Sequence, residues 1–158
     1  MNMLCRFLYF PIAIVLTSVI TASAQNLPNT TRLLRFPTTN DRDIVFCYAG
    51  QLYTVGKDGG TARRLTSGPG YTSFSRFSPD DSKMAFNRIF REFRTWKHYR
   101  GGMADDIWIY DFKTGATENL TNNPAQDICP MWGPDNKIYF ISDRDNRMNL
   151  FVVDLATK

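Results

Sequence analysis

The sequence predicts an all-β chain built from repeated short antiparallel sheets, and three observations predict it. Apolar runs of about five residues are dominated by Val, Ile, Phe, Tyr and Trp and broken by Gly, Pro, Asp and Asn, the composition of strands and turns. The runs recur: Asp43-Ile44-Val45-Phe46, Lys83-Met84-Ala85-Phe86 and Lys137-Ile138-Tyr139-Phe140 are three versions of one strand, with Phe46 and Phe86 40 residues apart. They are also nearly continuous in apolar character, where a sheet wetted on one face would alternate. Continuous runs suit sheets covered on both faces.

The amino-terminal segment stands outside this pattern. Arg6 gives a short positive start, Phe7 to Ile20 is almost wholly apolar, and Ala22-Ser23-Ala24 ends it with the small-x-small pattern of a cleavage site. We read residues 1–24 as a signal peptide cut between Ala24 and Gln25. The apolar run is about 14 residues where a spanning helix needs roughly 20, and Pro11 interrupts it. Cys5 precedes the run, so a lipid-anchored cysteine does not fit. The expectation is export to the periplasm or beyond, with no membrane contact after cleavage.

Residues 25–158 are enough for one modest domain. The whole chain carries a formal charge of +4, mild enough to name no partner. Cys47 and Cys129 lie in apolar, strand-like contexts, where a free thiol usually behaves as a small buried hydrophobe. Their spacing suggests no metal site.

Each unit follows one order. In the first, Gln51-Leu52-Tyr53-Thr54-Val55 is the partner strand, Lys57-Asp58-Gly59-Gly60 the turn and Arg64-Leu65-Thr66 the closing strand. In the second these are Asp106-Ile107-Trp108-Ile109-Tyr110, Lys113-Thr114-Gly115 and Asn119-Leu120-Thr121. A third partner strand is Asn149-Leu150-Phe151-Val152-Val153-Asp154. Phe77-Ser78-Pro79-Asp80 and Trp132-Gly133-Pro134-Asp135 fall 55 residues apart, between units and ahead of a repeated strand. Proline at the second position of these turns presets φ for a type I bend, which makes them hairpin corners. The excess over a 40-residue period sits at about 88–104, an insertion rich in arginine and aromatic residues. Units of this size that cover one another's faces are propeller blades. The expected architecture is an incomplete β-propeller: two four-stranded antiparallel blades and part of a third.

The repeat with Leu-Thr closing one sheet and Phe-Ser-Pro-Asp opening the next resembles the TolB-type, WD-like propeller repeat. The insertion Arg91-Glu92-Phe93-Arg94-Thr95-Trp96-Lys97-His98-Tyr99-Arg100-Gly101-Gly102-Met103, with Asp106-Ile107-Trp108-Ile109-Tyr110-Asp111, Met131-Trp132 and Ser142 to Leu150, is more specific. It is similar to the amino-terminal propeller of tricorn-type serine peptidases, from about Leu33 onward. The resemblance implies an exported peptide-degrading enzyme in which the propeller admits peptides or releases products. Its catalytic serine, histidine and acidic residue lie in later domains, so no residue here inherits a catalytic role. Compared with the family, further repeats are expected between Phe86 and the insertion, so the propeller reads as internally shortened. The end of the third partner strand reads as a truncation.

The residues agree that the chain holds no triad, because its one histidine, His98, has no serine in a Gly-x-Ser-x-Gly setting. Arg88, Arg91, Arg94, Lys97 and Arg100, interleaved with Phe90, Phe93, Trp96 and Tyr99, would suit nucleic acid by composition, but export argues against that partner. Two readings remain for the insertion. It packs its aromatics on the next blade and leaves its charges in water, or Arg94, Trp96, Lys97 and Arg100 hold acidic or carboxy-terminal peptide groups through bidentate arginine pairing. Asp80-Asp81 and Asp143-Arg144-Asp145-Asn146 lack the spaced oxygens of a calcium cage and read as turn caps. No metal or cofactor is expected. Expected partners are peptides or a protein, together with the remaining blades and peptidase domains of a full-length protein. A TolB-like interaction propeller without activity and the propeller of a prolyl-oligopeptidase-type enzyme are the alternatives.

Overall fold

Among the described residues eleven strands make three antiparallel sheets, taken in order along the chain. The computed structural model describes residues 33–90 and 99–157, within the unit Thr31–Lys158. Sheet one contains β1 (Arg35–Thr39), β2 (Asp43–Tyr48), β3 (Gln51–Gly56) and β4 (Arg63–Arg64). Sheet two contains β5 (Tyr71–Phe77), β6 (Lys83–Ile89), β7 (Asp106–Asp111) and β8 (Thr117–Asn119). Sheet three contains β9 (Asp127–Trp132), β10 (Lys137–Ser142) and β11 (Asn149–Asp154). Within each sheet every strand pairs with its neighbour in sequence, as blades of an incomplete propeller do. Among the described residues no helix is long and apolar enough to cross a membrane.

The continuous apolar runs have the cause the sequence suggests. Alternate side chains of a strand point to opposite faces. In the middle sheet, Met84 and Phe86 of β6 and Tyr110 of β7 pack against Val45, Cys47 and Leu52 of sheet one. On the opposite face of the same two strands, Ala85, Ile107 and Ile109 pack against Ile138 and Phe140 of sheet three. Phe86 is fully buried, a side chain whose truncation to alanine in a core costs about 3–5 kcal/mol.

The Leu-Thr pair is a latch, set just past the short closing strands. Leu65 N–H donates to the Leu52 carbonyl at 2.8 Å, and Leu52 N–H donates to Thr66 Oγ1 at 2.9 Å. In the second sheet Leu120 N–H donates to the Ile107 carbonyl at 2.8 Å and Ile107 N–H to Thr121 Oγ1 at 3.1 Å. Each threonine hydroxyl then donates to the side chain that opens the third strand, Gln51 or Asp106. The next sheet is started from the same place, with Thr72 N–H on the Gly50 carbonyl and Asp127 N–H on the Asp105 carbonyl.

The Ser-Pro-Asp and Gly-Pro-Asp corners lie within a sheet, joining its first two strands, so the boundary between repeats falls at the Leu-Thr latch instead. Ser78 N–H meets the Lys83 carbonyl, and Gly133 N–H meets the Lys137 carbonyl. Asp80 accepts from the Ser78 hydroxyl and from the Ser82 backbone and hydroxyl, which lowers its pKa. At the same end of the sheet Asp111 is held well below the usual carboxylate range by Lys83 Nζ at 2.6 Å and by the Thr114 backbone N–H.

The two end sheets keep apolar side chains on their outer sides. Leu150 and Val152 alternate with the inward-packed Phe151 and Val153 of β11, and are 63% and 53% exposed.

Two predictions follow from these contacts. Replacing Leu150 with Lys and Val152 with Thr should leave the melting transition nearly unchanged, since exposed substitutions usually change stability by about ±0.5 kcal/mol or less. It should also reduce self-association in sedimentation velocity, and equal self-association of both forms refutes this. Because folding depresses the Asp111 pKa, its ionisation stabilises the fold above the unfolded-state pKa of about 4 and that stabilisation is lost as pH falls further. The stability difference between wild type and Asp111→Asn should therefore be flat at neutral pH and shrink below about pH 4. A difference constant down to pH 2 contradicts it.

Candidate functional site

Strand alternation puts the connections at residues 49–50, 65–70, 120–126 and 143–148 at one end of the sheets, together with the two described ends of the β6–β7 connection, residue 90 and residues 99–105. Both sides of the insertion are neighbouring strands in register, with Phe86 opposite Trp108 and Arg88 opposite Asp106. Of the candidate peptide contacts, Arg100 is described, whereas Arg94, Trp96 and Lys97 lie outside the described residues. So do His98 and the Ala24-Gln25 cleavage site.

Arg100 is committed to the neighbouring sheet. Its Nη1 lies 2.8 Å from Asp143 Oδ1, and its Nη2 donates to the Asp143 carbonyl and, at 3.4 Å, to Asn146 Oδ1. Asp143 is 7% exposed at its side chain, and its Oδ1 also accepts the Gln126 N–H at 2.9 Å. Gly101 N–H donates to the Pro124 carbonyl. The end of the insertion is thus fastened both to the connection that enters sheet three and to the β10–β11 hairpin.

A second pair lies within sheet three, between the β10–β11 hairpin and the start of β9. Arg144 Nη2 lies 2.9 Å from Asp127 Oδ2, and its guanidinium sits 4.9 Å from the ring centroids of both Phe140 and Phe151. Asp127 is fully buried. The Asp143-to-Asn146 segment is partly a turn, through Asn146 N–H on the Asp143 carbonyl, but the Asp143 carboxylate faces Arg100 and Gln126.

Arg88 was grouped with the insertion by sequence, and the structure corrects this. It belongs to β6, is 6% exposed, donates to the Ser67 carbonyl at 3.1 Å and stacks 4.6 Å from the Trp108 ring. Burial lowers its pKa. Its room depends on Gly70, at φ +92°, where a Cβ would stand 3.0 Å from Arg88 Cγ and 3.1 Å from the Ile89 carbonyl oxygen. Asn87 is the residue that sequence reasoning missed. Its Nδ2 donates to the carbonyls of Asp106 and Asp127, and its Oδ1 accepts the Cys129 N–H, clamping sheet two to sheet three. A polar residue inside an otherwise apolar run was the available signal.

Repeated sheets latched in series, stacked through both faces and carrying their loops on a common rim, define a segment of a β-propeller. The model of the tricorn protease N-terminal β-propeller domain matches residues 80–158, and the chain belongs to that family. A tricorn protease homologue of Saccharolobus solfataricus is 26% identical over 108 residues, 68% of this chain and 10% of the homologue, so the chain spans about a tenth of that relative's length. Among solved structures, TolB of Acinetobacter baumannii superposes with a TM-score of 0.64 at 21% identity, covering 78% of this chain and 30% of that one. An acylaminoacyl peptidase of Pyrococcus horikoshii gives 0.53 at 16% identity, covering 80% and 20%. These structural likenesses show the shared propeller fold.

Breaking the staple separates its parts. Asp143→Ala leaves the buried Gln126 N–H without its acceptor, while Arg100 keeps the residue 143 carbonyl and Asn146, and should cost about 2 kcal/mol. Arg100→Ala, whose side chain is a third exposed, should cost about 1 kcal/mol, yet speed tryptic cleavage within residues 91–97. Denaturant melts and a digestion time course check both. Equal stability losses, or an unchanged digestion rate, contradict the assignment.

Proposed function

We propose that this chain is a non-catalytic propeller segment of an exported tricorn-like serine peptidase, and that it governs peptide entry or product exit. The family match over residues 80–158 carries the reading. Residues 1–24 act as the signal peptide, removed between Ala24 and Gln25, and residues 25–158 form the propeller portion, with the arginine- and aromatic-rich insertion between β6 and β7. The peptidase domains and further blades of the full-length protein are its partners.

Within this reading the four candidate contacts divide their labour. Arg100 anchors the insertion by pairing with Asp143. Arg94, Trp96 and Lys97 are the residues proposed to meet the peptide, with arginine pairing its carboxylates.

Two measurements test it. The isolated chain should hydrolyse no peptide, and turnover by it overturns the non-catalytic assignment. In the full-length peptidase, Arg94→Glu should lower kcat/KM for acidic peptides by about tenfold, mainly through KM. Unchanged kinetics end the peptide-contact role.

A further inference from the structure

Among the described residues each sheet's first strand pairs along one side only, β1 with β2, β5 with β6 and β9 with β10. On the other side neighbouring segments take up the Thr72 N–H, the Arg76 carbonyl, the Asp127 N–H and carbonyl and the Cys129 N–H. β1 lies beside β5 and β5 beside β9, so the three first strands run side by side along the stack. Each strand is broken at a matching place by a bulge, between Arg35 and Thr38, between Ser73 and Arg76, and between Ile128 and Met131. At each bulge one residue takes a left-handed backbone: Phe36 at φ 51°, Phe74 at 52° and Cys129 at 57°.

That conformation is cheap for the turn residues Asp81, Asn122, Asn136 and Asn146, which share it. It is unfavourable for phenylalanine, yet it occurs twice with this residue and presents the ring outward each time. Phe36 and Phe74 are 38% and 37% exposed, and their ring centroids stand 5.1 Å apart. Ser73 and Ser75, which flank Phe74, are buried. Two residues further along these strands come Arg76, exposed, and Met131, 47% exposed. The three first strands hold three charged side chains. Arg35 and Arg76 are exposed, whereas Asp127 is buried against Arg144.

We propose that Phe36 and Phe74, with Arg76 two residues further along β5, form a contact line for a peptide bearing aromatic side chains and negative charge. This rests on the peptide-passage reading above and names the residues that would meet the chain in transit. Exposed rings accept its apolar side chains, and the exposed arginines favour its carboxylates. Strained, outward-facing residues of this kind concentrate at functional positions.

The test uses the full chain and fluorescence anisotropy of a fluorescein-labelled ten-residue peptide containing two phenylalanines and one glutamate, beside the same peptide with both phenylalanines changed to serine. The aromatic peptide should bind about tenfold more tightly than its serine counterpart. The double variant Phe36→Gly/Phe74→Gly should abolish that preference while its melting temperature holds or rises, because glycine accepts positive φ freely. Equal binding of both peptides by the wild type overturns the proposal and needs no altered protein. A glycine variant that folds and keeps the preference overturns it too, leaving peptide passage intact. If neither peptide binds the wild-type chain, the peptide-passage reading fails and this inference falls with it.

Discussion

A sheet whose two faces are both apolar is stable only between neighbours, and the middle sheet shows how the chain meets that constraint. Residues along β6 turn alternately to sheet one and sheet three, so Met84 and Phe86 belong to one core and Ala85 to the other. Register is therefore fixed on both sides at once. A slip of one residue in β6 would swap the contents of two cores. Everything on the rim inherits its position from that register.

Apolar packing is non-directional, so it cannot by itself decide where one sheet stops and the next begins. The polar groups do that. The Leu-Thr latch ties the end of each complete sheet to its own third strand, and the following N–H, from Thr72 or Asp127, is taken by the carbonyl just before that strand. At one position of the second strands the chain uses two solutions. Cys47 in β2 accepts a long bond from the Thr72 hydroxyl, whereas Asn87 in β6 makes three bonds, two of them to β9. The asparagine is tolerable in a core position because its donor and acceptor are both used.

The sequence made the second and third strands of each sheet legible because their side chains are buried on one or both faces, leaving continuous apolar runs. The first strands were not legible. Arg35–Thr39 and Tyr71–Phe77 are polar or alternating, and a bulge breaks their period at Phe36 and Phe74. Spacing revealed the Leu-Thr repeat and its 55-residue step without revealing the latch, since hydrogen bonding between residues 52 and 66 is a tertiary fact. The same limit hid the staple. Arg100 and Asp143 are 43 residues apart and each had a local explanation, as a rim charge and as a turn cap.

The insertion sits where the fold can accept it. It enters a hairpin whose two strands are fully in register, so the added length loads the connection and leaves the ladder from Lys83 to Arg88 intact. Loop-closure entropy grows only slowly with length, and the added cost falls further when the far end is tied down. Arg100 does this by reaching the next sheet. The tie makes the carboxy-terminal end of the connection, at Arg100 and Gly101, part of the seam between sheets two and three. Arg88 plays the opposite part. Buried beneath Gly70 and stacked on Trp108, it holds the start of the same connection against the seam between sheets one and two. The connection is thus held at its two described ends by two different seams.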